Sequence, residues 1–161
     1  MRRSSDYLRL YLVTDRDLAR GRALADVVER VVRAGVTAIQ LREKSLGARG
    51  FLAEVGQIKE LLAGTGVPVI VNDRVDVAIA AGADGVHVGQ HDLPAADARR
   101  LIGPDMLLGV SVATPEEARA ALAAGADYLS VSPVFLTPTK PDALLAVGLE
   151  GVATIRGVVG A

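Results

Sequence analysis

The sequence predicts a parallel α/β fold, a TIM (β/α)8-type barrel carried through about six β-α units, and three observations predict it. The first is a repeat. Ala34-Gly-Val-Thr-Ala-Ile-Gln-Leu41, Ala81-Gly-Ala-Asp-Gly-Val-His-Val88 and Ala124-Gly-Ala-Asp-Tyr-Leu-Ser-Val131 begin 47 and then 43 residues apart. Each follows an alanine-rich stretch and enters a β-type run, with glycine at the left-handed turn that ends a helix. The second is alternation: apolar runs near 8–13, 36–41, 67–71, 84–88, 106–112 and 127–131 are separated by helical stretches near 22–34, 48–63, 75–81, 94–102, 115–124 and 148–157. Short connections between such elements mean parallel strands joined by right-handed crossovers. The third is that no Gly-x-Gly-x-x-Gly follows the first strand, which disfavours the doubly wound, dinucleotide-binding alternative.

Local signals support the elements in turn. Val27, Val28, Val31 and Val32 recur at helical spacing and leave Glu29, Arg30 and Arg33 for solvent. Thr114-Pro115-Glu116-Glu117 reads as a helix cap, a proline at the first helical position and a capping-box glutamate. An eight-unit barrel typically takes about 250 residues and at least about 200. The 161 residues here supply six units and end in Val158-Val159-Gly160-Ala161. The expectation is a single, truncated barrel domain over 1–161 whose first and sixth strands are unpaired edges, a state that predicts self-association into a homo-oligomer.

Composition narrows the function. Eighteen basic side chains against 19 acidic ones give a formal charge of −1, and a nucleic-acid partner needs a broad positive face instead. Aromatics at 3% leave no base-stacking platform. There is no cysteine, which removes disulfides, thiolate metal sites and a cysteine nucleophile. No apolar run approaches the roughly 18 residues of a membrane span, and the charged amino terminus is no signal peptide. The expected location is cytoplasmic.

Parallel β-α proteins place their sites at the carboxyl ends of the strands, and polar residues gather there in this sequence. The second strand ends in Gln40-Leu41-Arg42-Glu43-Lys44, the third in Asn72-Asp73-Arg74, the fourth in Gly89-Gln90-His91-Asp92 and the fifth in Ser111, while Thr137-Pro138-Thr139-Lys140 follows the sixth. Strand alternation puts Gln40, Arg42 and Lys44 on one face and Leu41 and Glu43 on the other. Only three lysines occur, Lys44, Lys59 and Lys140, and two of them fall at strand ends. A compact ammonium there suits a phosphate or pyrophosphate. Asp73 and Asp92 lie on adjacent strands about 4.8 Å apart. Unpaired carboxylates that close repel, and a divalent cation resolves the conflict; oxygen donors favour Mg2+ over zinc. Asp73 read alone is equally an N-cap for the helix that follows. His87, within an apolar strand, reads as a hydrogen-bonded core histidine, and Asp84 and Asp127 as structural members of the repeat.

Together, Gln-Leu-Arg-Glu-Lys, Asn-Asp-Arg, Gly-Val-His-Val-Gly-Gln-x-Asp-Leu-Pro, Gly-Val-Ser, Thr-Pro-Thr-Lys and the early Tyr11-Leu-Val-Thr-Asp15 resemble the thiamine phosphate synthase family over about residues 8 to 157. The resemblance implies a TIM-barrel transferase that joins a pyrimidine diphosphate to a thiazole phosphate, with Mg2+ and cations helping pyrophosphate leave. It implies that Gln40, Leu41, Arg42, Glu43, Lys44, Asn72, Ser111 and Lys140 hold the pyrimidine diphosphate. Arg42, Lys44, Ser111 and Lys140 are then the catalytic set, Asp73 and Asp92 bind magnesium, and Thr137, Pro138 and Thr139 take the thiazole phosphate. His91 stands where the family commonly has an acidic residue. The phosphate-gripping loops that the family carries after strands seven and eight have no counterpart in the six units. Two alternatives stay open: a related thiazole tautomerase-like barrel, and a non-catalytic truncated synthase-like chain.

Overall fold

A computed structural model describes residues 5–131. A 3-10 turn, Ser5–Leu8, leads into β1 (Tyr11–Val13), followed by α1 (Leu24–Arg33), β2 (Ala38–Leu41), α2 (Ala48–Leu61), β3 (Val69–Asn72), α3 (Val75–Ala80), β4 (Gly85–Val88), α4 (Ala95–Ile102), β5 (Leu107–Val112), α5 (Pro115–Ala123) and β6 (Tyr128–Val131). The strands form one sheet in the order β1-β2-β3-β4-β5-β6, and every neighbouring pair is parallel. That order decides the architecture. A doubly wound sheet reverses its strand order at a switch point, whereas consecutive parallel strands are the staves of a barrel. The sheet is strongly curved: the hydroxyls of Tyr11 on β1 and Tyr128 on β6 lie 2.7 Å apart. In a flat sheet five strand spacings would separate those strands by about 24 Å.

The first strand is shorter than the apolar run 8–13 suggests. Leu8 belongs to the 3-10 turn, and pairing with β2 begins only at Tyr11↔Ala38. The helix expected near 148–157 lies outside the described residues. The remaining elements fall within two residues or so of expectation, and Thr114 caps α5 as its sequence requires, its hydroxyl accepting from the Glu117 N–H at 3.1 Å.

The repeat has a physical explanation. Gly35, Gly82 and Gly125 all carry positive φ directly after a helix, where a side chain would be strained. The polar residue two positions later then ties down the start of the preceding strand. The Thr37 hydroxyl accepts from the Leu10 N–H at 2.8 Å, Asp84 Oδ2 from the Val69 N–H at 2.9 Å, and Asp127 Oδ2 from the Leu108 N–H at 2.8 Å. One device, used three times, satisfies a backbone donor at the amino end of β3 and β5 and just before β1.

The two faces of the sheet differ. Leu12, Ile39, Val69, Val86 and Leu108 point outward and pack with Val28, Phe51, Val55, Ile58 and Ala98 of the helices as one buried apolar cluster. The alternate residues point into the concavity, among them Tyr11, Gln40, His87, Ser111 and Tyr128, which bond to one another. Gly109 is required on that face: a Cβ there would overlap the Tyr128 ring and His87 Nδ1.

Candidate functional site

The carboxyl ends of the strands carry the charged residues. Arg42 follows β2 and is held twice from the segment after β1. Its backbone N–H donates to Thr14 Oγ1 at 3.0 Å, and its guanidinium donates to Asp15 Oδ2 at 3.1 Å. About a third of the Arg42 side chain stays accessible, so it is fixed without being consumed. Asp15 is itself oriented by the Asp17 and Leu18 N–H groups.

Glu43 and Leu41 take the opposite face. The Leu41 side chain is fully buried in the outer apolar cluster. The Glu43 carboxylate receives Arg16 Nε at 2.7 Å and, on its other oxygen, the Ser45 hydroxyl and the Ser45 and Leu46 N–H groups. Burial pushes this carboxyl up, but the bonds from Ser45, Arg16 and Leu46 outweigh it and bring it down to about 2. Arg16 also binds Glu54 of α2 at 2.7 Å. Both Leu41 and Glu43 therefore turn their side chains away from the mouth, and Glu43 ties down the loop that carries Lys44.

Asp73 follows β3 with φ +63°, a conformation uncommon outside glycine but tolerated by aspartate. Its N–H donates to the His87 carbonyl at 2.8 Å. It is not a helix cap, because the residue before α3 is Arg74 and no side chain caps that helix. The Asp73 carboxyl is pushed up to about 6, first by burial, then by hydrogen bonding and repulsion from Asp92, while Lys44 and Arg42 pull it back down. Charged side chains from the ends of β2 and β4 thus both act on the Asp73 carboxyl at the end of β3. Asp92 is fixed by the Gly89 N–H, which donates to its Oδ2 at 2.7 Å. A Cβ at Gly89 would stand 3.0 Å from that oxygen, so glycine leaves room for the Asp92 carboxylate to sit against this N–H. Gln90 Nε2 reaches the Ser111 carbonyl at 2.7 Å. Asn72 ends β3 opposite His87 in register.

Among the described residues no group of three or more His, Asp or Glu side chains stands ready to hold a metal by itself. Thr137, Pro138, Thr139 and Lys140 lie outside the described residues. His87 is a buried, hydrogen-bonded histidine as its setting suggests, 4% exposed, with Nδ1 3.1 Å from the Tyr128 hydroxyl and Nε2 2.9 Å from Ser111 Oγ. The sequence reading did not single out Thr14, Asp15 and Arg16 as partners of the second strand's end, nor Tyr11 and Tyr128 as partners of Gln40 and His87. One signal was available for the tyrosines. The chain has only three, and Tyr7 and Tyr11 both meet Tyr128, at ring separations of 6.1 and 5.7 Å.

A family model for thiamine monophosphate synthase matches residues 10–160. The chain belongs to the thiamine monophosphate synthase family. The thiamine-phosphate synthase of Albidiferax ferrireducens is 54% identical over 149 residues, 92% of this chain and 68% of that one. The thiamine-phosphate synthase of Syntrophomonas wolfei is 50% identical over 153 residues, 95% of this chain and 73% of the other. Among solved structures, the thiamine phosphate pyrophosphorylase of Pyrococcus furiosus matches with a TM-score of 0.73 at 38% identity, covering 80% of this chain and 62% of its own. Both named relatives of this thiamine monophosphate synthase family chain are thiamine-phosphate synthases, which are transferases. The expected family and barrel-type fold are both borne out. No helix among the described residues is long and apolar enough to cross a membrane.

Proposed function

We propose that the chain is a thiamine-phosphate synthase that binds 4-amino-2-methyl-5-hydroxymethylpyrimidine diphosphate at the carboxyl rim of its strands and couples it to a thiazole phosphate. The observation that carries this reading is the gathering of Arg42, Lys44, Asp73 and Asp92 at the carboxyl ends of three neighbouring parallel strands, where the other three all bear on the Asp73 carboxyl. In the proposed step the bond between the pyrimidine methylene and the diphosphate oxygen breaks. Pyrophosphate leaves with the electron pair, and the thiazole nitrogen donates its own pair to the resulting cation. Negative charge builds on the leaving oxygens, so fixed cations beside them lower the barrier. Arg42 and Lys44 fill that role here and Lys140 joins them, with Ser111 donating to the diphosphate. Gln40 and Asn72, with the main chain between Leu41 and Glu43, complete the pyrimidine diphosphate site; Thr137, Pro138 and Thr139 take the thiazole phosphate.

Asp73 and Asp92 fit a magnesium ion chemically. Their oxygens are hard donors, and Asp73 is raised first by burial and then by Asp92, both of which a bound cation would offset. Two carboxylates complete no cage, which suits an ion that usually keeps waters and takes substrate phosphate oxygens as its other ligands. When bound, magnesium supplies charge neutralisation on the departing diphosphate. The proposed setting is the cytoplasm, whose reducing conditions a cysteine-free chain tolerates.

Calorimetric titration of the full chain with the pyrimidine diphosphate, with and without magnesium, tests the proposal. Binding is expected to strengthen at least tenfold with the metal, and Asp73→Asn or Asp92→Asn is expected to abolish the difference. Equal affinity with and without magnesium would overturn the metal assignment. Absence of thiamine phosphate formation from both substrates would overturn the activity.

A further inference from the structure

The inward face of the sheet carries a chain of hydrogen bonds whose direction can be worked out. Gln40 Nε2 lies 3.0 Å from the Tyr11 hydroxyl, the Tyr11 and Tyr128 hydroxyls are 2.7 Å apart, the Tyr128 hydroxyl is 3.1 Å from His87 Nδ1, and His87 Nε2 is 2.9 Å from Ser111 Oγ. An amide nitrogen only donates. Tyr11 therefore accepts from Gln40 and must place its own proton elsewhere. Among the described residues the Tyr128 oxygen is its available acceptor. Tyr128, having accepted from Tyr11, passes its proton to the next acceptor in reach, His87 Nδ1. A histidine that accepts at Nδ1 carries its proton on Nε2, and there it donates to Ser111 Oγ. The reverse direction would leave the proton of the half-buried Tyr11 without an acceptor among the described residues, trading a protein hydrogen bond for solvent.

We infer that Gln40, Tyr11 and Tyr128 form a one-way hydrogen-bond chain that holds His87 as the Nε2–H tautomer and leaves the Ser111 hydroxyl proton free to donate toward the carboxyl mouth of the sheet. Tyr11, Tyr128 and His87 are positioning residues in this account, Gln40 anchors the chain from the proposed pyrimidine diphosphate site, and Ser111 is the group whose proton meets the diphosphate. The consequence is chemical. Run one way, the chain makes Ser111 a donor, matched to an anionic phosphoryl oxygen. Run the other way, Ser111 spends its proton on His87 and presents lone pairs, which repel that oxygen. Burial makes the direction stable: Gln40 is 3% exposed and Tyr128 6%, so water does not scramble the bonds. Gly109 belongs to the same arrangement, because its missing side chain leaves room for Tyr128 to meet His87. The ligand class, an anionic diphosphate, rests on the function proposed above. The tautomer does not.

Long-range proton–nitrogen correlation on the uniformly labelled full chain reads the tautomer without any ligand. The chain has two histidines, His87 and His91, and His91→Gln assigns the signals. The expected result is a protonated Nε2 and an unprotonated Nδ1 on His87, with Tyr128→Phe giving a mixture of tautomers. A protonated Nδ1 in the unaltered chain would overturn the inference. Calorimetry with inorganic pyrophosphate and magnesium provides the second arm. Tyr11→Phe and Tyr128→Phe are each expected to weaken pyrophosphate about three- to tenfold, less than Ser111→Ala, since a charge-assisted hydrogen bond is misdirected rather than deleted. Either tyrosine variant suffices if the other fails to fold. Unchanged pyrophosphate affinity in a folded tyrosine variant that has lost the Nε2–H preference counts against the link to Ser111. A chain that holds the Nε2–H form yet binds no pyrimidine diphosphate supports the chain's direction and defeats the functional reading instead.

Discussion

The two faces of the sheet solve opposite problems with alternate residues of the same strands. Gln40 sits between Ile39 and Leu41, His87 between Val86 and Val88, and Ser111 between Val110 and Val112. The outward members are apolar and packed under the helices; the inward ones are polar and bonded to partners on other strands. Outward, stability comes from non-directional burial, which tolerates small changes of shape. Inward, it comes from directional bonds in which each donor and acceptor is committed. The lesson is that one face holds the barrel staves together while the other holds a set of protons and charges in place. Substitutions should therefore separate into stability effects and rate effects by face.

The largest stability effect belongs outside. Phe51 of α2 is 1% exposed within the apolar cluster, and Phe51→Ala is expected to cost about 3–5 kcal/mol. Urea unfolding followed by circular dichroism measures it. A cost below about 1 kcal/mol would mean that the outward face is not where the fold is held.

The mirror image is Arg42, whose guanidinium is partly accessible and paired with an equally accessible Asp15. Arg42→Ala is expected to lower the rate of thiamine phosphate formation about 10²- to 10³-fold, the usual loss of one preorganised electrostatic donor. Stability should change by no more than about 1 kcal/mol, because an ion pair about a third exposed on both sides contributes little. Equal losses in rate and stability would erase the distinction between the faces.

The division explains what could be read from the residues alone. Outward positions were legible because alternation and the glycine-bearing repeat are local patterns, and Asp84 and Asp127 announced themselves as structural by recurring in it. Strand ends were legible because parallel topology fixes which end carries the loops. The inward network was not, since the Tyr11–Tyr128 bond joins residues 117 apart in sequence and depends on sheet curvature. Asp15 and Arg16 were hidden for a related reason: in the sequence they belong to a polar loop after β1, and only the β1–β2 register brings them to Arg42 and Glu43. The start of β1 misled because an apolar run reads as strand even where β2 offers no partner.

Glu43 gives the finest test, because it adjoins Arg42 and faces the other way. Although the family resemblance places it in the ligand set, its carboxylate is occupied by Arg16, Ser45 and Leu46. Glu43→Gln keeps the shape and an acceptor oxygen but removes the charge. The folded carboxyl sits at about 2, below its ordinary 4.5, so its contribution to stability is fully present above pH 4.5 and is lost as the pH falls through about 2. At neutral pH the variant is expected to be less stable by about 1 kcal/mol, discounted because Arg16 is half exposed to solvent. The gap from the unaltered chain should narrow below pH 4.5 and close near pH 2. Denaturant midpoints across that range measure it, and a gap that stays constant down to pH 2 would show that the charge of Glu43 does not stabilise the loop. Turnover at saturating substrate should stay within about threefold, since each tenfold needs about 1.4 kcal/mol at the transition state and this carboxylate points away from the mouth. A loss as large as that of Arg42→Ala would place Glu43 on the inward, ligand-facing side after all.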